Sequence, residues 1–246
     1  MDLHAYPISK HIKDLQLTLK EICIALFYGM IICSIHLDDL LNTVLHPIQF
    51  NLPDPFKIVV TSPYEFIFIQ TKILFISGLM VSCPWILFFL WKFIQPGIYN
   101  TEKKTIITIS CLSSCFFFTG CLFAYFYILP YSFIYLSASL PPYIEYFYSM
   151  SSLVSFVLNT LITFGLIFQI PIIIPLITHF NLISIQKLSE NRRYIIIIAF
   201  IIAAIITPTS DPIIQTITAV PLILFFEIGL IFSKLFSNTK SIKDLI

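Results

Sequence analysis

Six long apolar stretches, separated by short polar connections, dominate this chain and determine the solvent it can fold in. They lie at 22–35, 66–91, 106–136, 153–180, 194–206 and 213–232. A helix that crosses the hydrocarbon core of a bilayer needs about 20 apolar residues. Strands of a membrane barrel would run about 10 residues and alternate strictly between apolar and polar. These runs are longer and apolar all round, so they read as helices. Composition agrees, with 58 % of residues hydrophobic and only 11 % charged. A soluble domain carries about 25 % charged residues, so most of this surface faces lipid. The expected fold is all-α and polytopic, with six transmembrane helices in one membrane domain. A short amphipathic segment (1–21) precedes the membrane bundle (22–232), and a polar tail (233–246) follows it.

Charge orients the spans. Lys10, Lys13 and Lys20 precede the first. The connection after it holds Lys57 against Asp38, Asp39, Asp54 and Glu65. Lys92, Lys103 and Lys104 follow the second span, Lys187, Arg192 and Arg193 the fourth, and Lys234, Lys240 and Lys243 the sixth. The stretch 137–152 has no Lys or Arg. By the positive-inside rule the basic clusters share one side, and both termini are expected to be cytoplasmic. The first run lacks a small-residue cleavage site and precedes Asp38-Asp39, so it reads as a span and not as a leader. A net charge of +1 gives no ground for a nucleic-acid partner. The six cysteines lie inside apolar runs without a C-x-x-C pair. They read as small hydrophobes, and no disulfide framework, metal site or cofactor is expected.

Two outer connections, 37–65 and 137–152, are rich in proline, including Pro47, and read as caps on the outer interface. Tyr143, Tyr146, Phe147 and Tyr148 are then expected at headgroup level. The fifth and sixth spans are short. About 13 apolar residues at 194–206 give a helix of about 20 Å, against a hydrocarbon core of about 30 Å. The turn 207–212 between them would then sit below the ordinary outer surface.

Polar residues within or beside the spans are candidates for function. Glu227 either faces the interior of the bundle or is an interfacial acid near the inner end of a short helix. Gln169 either serves a carbonyl freed by Pro171 or Pro175 or has a role of its own. Lys72 either snorkels to the interface or joins a buried ion pair. At the basic ends, Asp14 and Glu102 are acids among lysines, open to local pairing with Lys13, Lys103 or Lys104. Asp14 lies in an amphipathic segment with Ile8, Ile12, Leu15 and Leu19 at helical spacing. No nucleophile with an adjacent base is evident, and no enzymatic activity is expected.

Several segments, in order along nearly the whole chain, resemble the TatC family, the multi-spanning subunit of the twin-arginine, Sec-independent protein translocase. Phe93-Ile94-Gln95-Pro96-Gly97-Ile98-Tyr99-Asn100-Thr101-Glu102-Lys103-Lys104 resembles the family's F-x-x-P-G-L-Y-x-x-E-[RK]-[RK] inner loop. Gly120-Cys121-Leu122-Phe123-Ala124-Tyr125-Phe126 followed by Pro130 resembles G-x-x-F-x-Y-F-x-x-x-P. Phe164-Gly165-Leu166-Ile167-Phe168-Gln169-Ile170-Pro171 resembles F-G-x-x-F-[EQ]-x-P. Thr207-Pro208 with Asp211 and Gln215 resembles T-P-x-D-x-x-x-Q, with one extra residue before the Asp. Pro221 and Phe226-Glu227-Ile228-Gly229 resemble the end of the sixth span.

The resemblance implies a concave six-helix bundle with short fifth and sixth helices. It implies a receptor for signal peptides bearing paired arginines, working with single-span TatA/TatB-type subunits to export folded proteins by the proton-motive force. Glu102, Asp14 and Phe93 would form the signal-peptide site. Asp211, Gln215, Glu227, Gln169 and Pro47 would serve partner docking or translocation. The chain is then expected in a bacterial inner membrane, with an organellar membrane as the alternative. It would contact lipid and form a homo-oligomer within a receptor complex. One segment departs from the pattern. Where the family has H-x-x-E-L-R-x-R-L, this chain has His11-Ile12-Lys13-Asp14-Leu15-Gln16-Leu17-Thr18-Leu19. The acid is shorter and both arginines are gone. Two other readings stay open. One is an ion-coupled small-solute transporter using Lys72, Gln169, Asp211 and Glu227. The other is a degenerate, translocase-derived assembly factor.

Overall fold

The structure is a computed structural model that describes residues 8–51, 57–60, 62–94, 103–138, 147–179, 183–206 and 212–243. Ten α-helices are described: α1 (Ile8–Ile35), α2 (Leu37–Asn51), α3 (Pro63–Ile94), α4 (Lys103–Phe123), α5 (Leu129–Ala138), α6 (Met150–Ile167), α7 (Ile170–His179), α8 (Ile185–Glu190), α9 (Arg192–Ile206) and α10 (Pro212–Lys243). A π-helical turn, Ala124–Ile128, joins α4 to α5. Two short strands, β1 (Lys57–Val59) and β2 (Phe147–Ser149), complete the described elements. Five stretches are long and apolar enough to cross a membrane: Ile12–Ile35, Pro63–Phe93, Ile107–Ala138, Met150–Thr178 and Gln215–Lys234. The sixth expected span is α9, whose 15 residues make about 22 Å of helix. The apolar part of α10 is 20 residues, while the helix itself continues through the polar stretch to Lys243.

Two expectations change. The amphipathic segment and the first span are one uninterrupted helix of 28 residues, about 42 Å long. About two turns of α1 therefore extend beyond a hydrocarbon core of about 30 Å. The connection 37–65, expected as a proline-rich cap, is helical in its first half, where α2 continues through Pro47. Pro47 lacks the N–H that would bond the Thr43 carbonyl one turn earlier. Tyr125 Oη donates to that carbonyl instead, at 3.0 Å. Val44, Leu45, Pro47 and Ile48 form the buried face of this helix.

The chain divides into two compact units, Met1–Leu40 with Thr71–Cys115, and Leu41–Gln70 with Phe116–Ile246. In the first, α1 and α3 meet at paired glycines. A Cβ on Gly29 would sit 2.4 Å from the Gly78 carbonyl oxygen, and one on Gly78 would sit 2.7 Å from Met30 Cγ. Helices in lipid gain little from hydrophobic burial against each other, so close backbone contact at small residues matters more. The second unit uses the same device. A Cβ on Gly120 would lie 2.5 Å from the Phe164 carbonyl oxygen, and one on Gly165 would lie 2.5 Å from Phe117 Cε2. The Phe123 ring packs beside Phe164 and Phe168, and Phe168 in turn beside Phe225. Further along, Ile174, Phe226 and Leu230 form a core at which α7 and α10 pack, joined by Ile170, Leu188 and Ile195.

The outer connections meet in the second unit. Strands β1 and β2 pair in parallel with Lys57 opposite Phe147 and Val59 opposite Ser149. Glu65, in the first turn of α3, is buried at 7 % exposure. Its Oε1 accepts from Ser149 Oγ at 2.8 Å and from the Ser151 backbone N–H at 3.1 Å. Ser151 lies in the first turn of α6, so one carboxylate stands at the positive ends of two helices. Phe147 is exposed and Tyr148 half-buried, while Tyr143 and Tyr146 lie outside the described residues.

Two stability measurements check this account. Gly120→Val should lower unfolding stability in detergent by about 1–3 kcal/mol, because the added atoms meet backbone that cannot withdraw. Glu65→Ala should lower it by about 1–3 kcal/mol through unpaired buried donors. Glu65→Gln, which keeps an acceptor, should lose less; equal losses for the two variants would contradict the capping role.

Candidate functional site

At the basic ends of the helices, Asp14 sits half-buried on the part of α1 that outruns the apolar core. Lys13 beside it is exposed, as are Ile12, Leu15 and Leu19. The described ion pairs do not include Asp14. Phe93 is half-buried in the last turn of α3. Glu102 lies outside the described residues.

An acid that the sequence reading passed over completes this region. Glu21, two turns beyond Asp14 on α1, pairs with Lys92 of α3, Oε1 to Nζ 3.6 Å. The same ammonium lies 5.7 Å from the Phe89 ring centroid. Glu21 and Lys92 each flank an apolar run at its basic end, and two antiparallel helices bring such ends together. That position was the available signal.

The second group lies in the other unit, at the ends of α9 and α10. Gln215 Nε2 donates to the Phe200 carbonyl at 2.9 Å, tying the start of α10 to α9. Glu227 Oε2 accepts from Arg192 Nη2 at 3.0 Å, tying the start of α9 to the middle of α10. Both side chains of this pair are more than a third exposed, so Glu227 is the acid of a partly solvated ion pair. Asp211 lies outside the described residues. Gly229, two residues past Glu227, packs on α7: a Cβ there would meet Ile174 Cδ1 at 2.8 Å. The motif at 226–229 thus combines an ion pair with a close helix contact.

Gln169 is buried in the turn between α6 and α7. Its carbonyl accepts from the Ile172 and Ile173 N–H groups, and its own N–H donates to the Leu166 carbonyl. Pro171 follows in the first turn of α7, where a missing N–H is harmless. Pro47 is buried on α2 opposite the Tyr125 hydrogen bond described above. Lys72 is half-buried within α3. The site residues therefore fall into separate groups, with Asp14 and Phe93 in one unit and Gln169, Gln215, Glu227 and Pro47 in the other.

Fold and composition together define a multi-pass α-helical membrane protein. A family model described as "Sec-independent protein translocase protein (TatC)" matches residues 10–221, and the chain belongs to the TatC family. The chain is 32 % identical to the TatC of Aquifex aeolicus, over 95 % of this chain and 97 % of that one. It is 29 % identical to the TatC of Escherichia coli K12, over 94 % and 89 % respectively. Among solved structures it is similar to "Crystal Structure of Twin Arginine Translocase Receptor- TatC in DDM", with a TM-score of 0.81 and 32 % identity. That likeness covers 91 % of this chain and 99 % of the other.

The α9–α10 ties are open to measurement. In a double-mutant cycle, Arg192→Gln and Glu227→Gln should couple by about 0.2–1 kcal/mol, because solvent screens a pair this exposed. A coupling above about 3 kcal/mol would mean that the pair is desolvated in the membrane.

Proposed function

We propose that this chain is the signal-peptide receptor subunit of a twin-arginine translocase, set in a bacterial inner membrane with both termini cytoplasmic. The observation that carries the reading is the likeness, over 91 % of the chain, to a structure described as a twin-arginine translocase receptor. The recognised group is a pair of arginines at the membrane surface. A guanidinium pairs bidentately with a carboxylate, and its planar fork discriminates Arg from Lys. Asp14 supplies one carboxylate, on the part of α1 that extends beyond the apolar core. Glu102 supplies the other, and the Phe93 ring offers a face on which a guanidinium can stack. Lys13 and Lys20 nearby do not defeat recognition, because bidentate geometry and not net charge selects the ligand.

Single-span TatA/TatB-type subunits dock along α9 and α10 through Gln215, and Asp211, which precedes α10 in sequence, shares in that docking. The short α9 thins the bilayer locally, and the proton-motive force drives passage of the folded cargo. Several copies assemble into the receptor complex. The replacement of the family's two arginines by Gln16 and Thr18 shifts the weight of recognition from Asp14 to Glu102.

Export of a twin-arginine reporter tests the assignment. Glu102→Gln removes a charge-assisted contact of about 1.5–3 kcal/mol, roughly 10- to 150-fold in signal affinity. Export should fall accordingly at unchanged membrane abundance. Asp14→Ala should have a milder effect. Full export by Glu102→Gln would remove that residue from the site, and a larger loss with Asp14→Ala would reverse their ranking.

A further inference from the structure

Two apolar grooves flank a single ridge on α3. The first, about 470 Å³, lies between α1 and α3, with Ile24, Tyr28 and Ile32 on one wall and Val81, Trp85 and Phe89 on the other. The second, about 460 Å³, lies between α3 and α4, where Trp85 and Phe89 face Ile107, Ser110 and Cys111. Trp85 and Phe89 stand one helical turn apart and wall both grooves, so they form the ridge. Lys92 continues the same helix face three residues on, at the basic end. There its ammonium lies 3.6 Å from Glu21 Oε1.

Three features identify an occupant. Grooves this apolar, opening on a lipid-facing surface, hold no water, and their walls lack dispersion partners unless something apolar fills them. Two grooves of nearly equal volume that share a ridge suit one molecule with two acyl chains. At the head of the ridge, the exposed Lys92 ammonium and the half-buried Glu21 carboxylate stand side by side, complementary to a phosphate and a primary ammonium.

We propose that the first unit binds one diacyl phospholipid of the phosphatidylethanolamine class. One chain lies in each groove, the phosphate rests on Lys92 and the ammonium on Glu21. Phosphatidylcholine lacks an N–H to donate to Glu21, and phosphatidylglycerol lacks the cation. The site goes beyond the receptor function and can be tested without export. With the orientation proposed above, the bound lipid belongs to the cytoplasmic leaflet; nothing else in the proposal rests on that reading.

Native mass spectrometry of the purified full chain in detergent, titrated with dioleoyl phosphatidylethanolamine, phosphatidylcholine and phosphatidylglycerol, tests the assignment. One ethanolamine lipid should be retained per chain, at least about fivefold more tightly than either other lipid, the worth of one hydrogen bond. Glu21→Leu, which removes the acceptor, should bring the ethanolamine lipid down to the choline level. Cys111→Trp, placed at an exposed position in the second groove, should weaken all three lipids; Ile107→Trp serves if that variant does not fold. No retained lipid, equal retention of the three, a preference unchanged by Glu21→Leu, or retention unchanged by groove filling would each overturn the proposal. Tighter binding of an added signal peptide to the same grooves would overturn it too and assign them to a peptide.

Discussion

A backbone amide placed in hydrocarbon must find its partner within the protein, and this chain puts proline inside four helices. Pro47, Pro84, Pro175 and Pro221 each remove a donor from the ladder. Where the repair is visible, it comes from a side chain: Tyr125 reaches across 82 residues to the Thr43 carbonyl that Pro47 leaves. The π turn at 124–128 belongs to the same constraint. It closes its ring by an N–H of Leu129 on the Ala124 carbonyl and so carries an extra residue without stranding a polar group. The G-x-x-F-x-Y-F segment thus supplies a close contact at Gly120, an aromatic stack at Phe123 and a carbonyl partner at Tyr125. Its residues are fixed by three separate physical needs.

Charge is confined in the same way. Each described ion pair has a member at or beside a helix end: His36 with Asp39, Lys92 with Glu21, and Arg192 with Glu227. Each is partly exposed, so each contributes little to stability by itself. Their consequence is positional. Glu21 and Lys92 fix the basic ends of α1 and α3 against each other, while Asp14, two turns further out, carries no such commitment among the described residues.

Apolar length was enough to read the helical class and the polytopic architecture, because lipid permits little else. Motif glycines were legible as motif but not as mechanism, since a sequence does not say which backbone approaches a missing Cβ. The structural role of Glu65 was hidden for a related reason. It looks like a loop acid, yet its partners Ser149 and Ser151 are more than 80 residues away. Glu21 was overlooked because it abuts Lys20 in sequence, while its partner Lys92 lies on another helix. The helical state of 37–51 is not legible in the sequence, because the partner of the carbonyl that Pro47 leaves, Tyr125, is 82 residues from it.

The central claim is that carboxylates at the basic end of α1 and in the following inner loop read an arginine pair. Site-specific photocrosslinking in native membranes tests it most directly, with probes at Lys13 and Thr101 and a radiolabelled twin-arginine precursor. The account predicts adducts at both positions that vanish when the precursor's arginine pair becomes Lys-Lys. Adducts at neither position from folded, abundant protein, or adducts indifferent to the arginine pair, would contradict it.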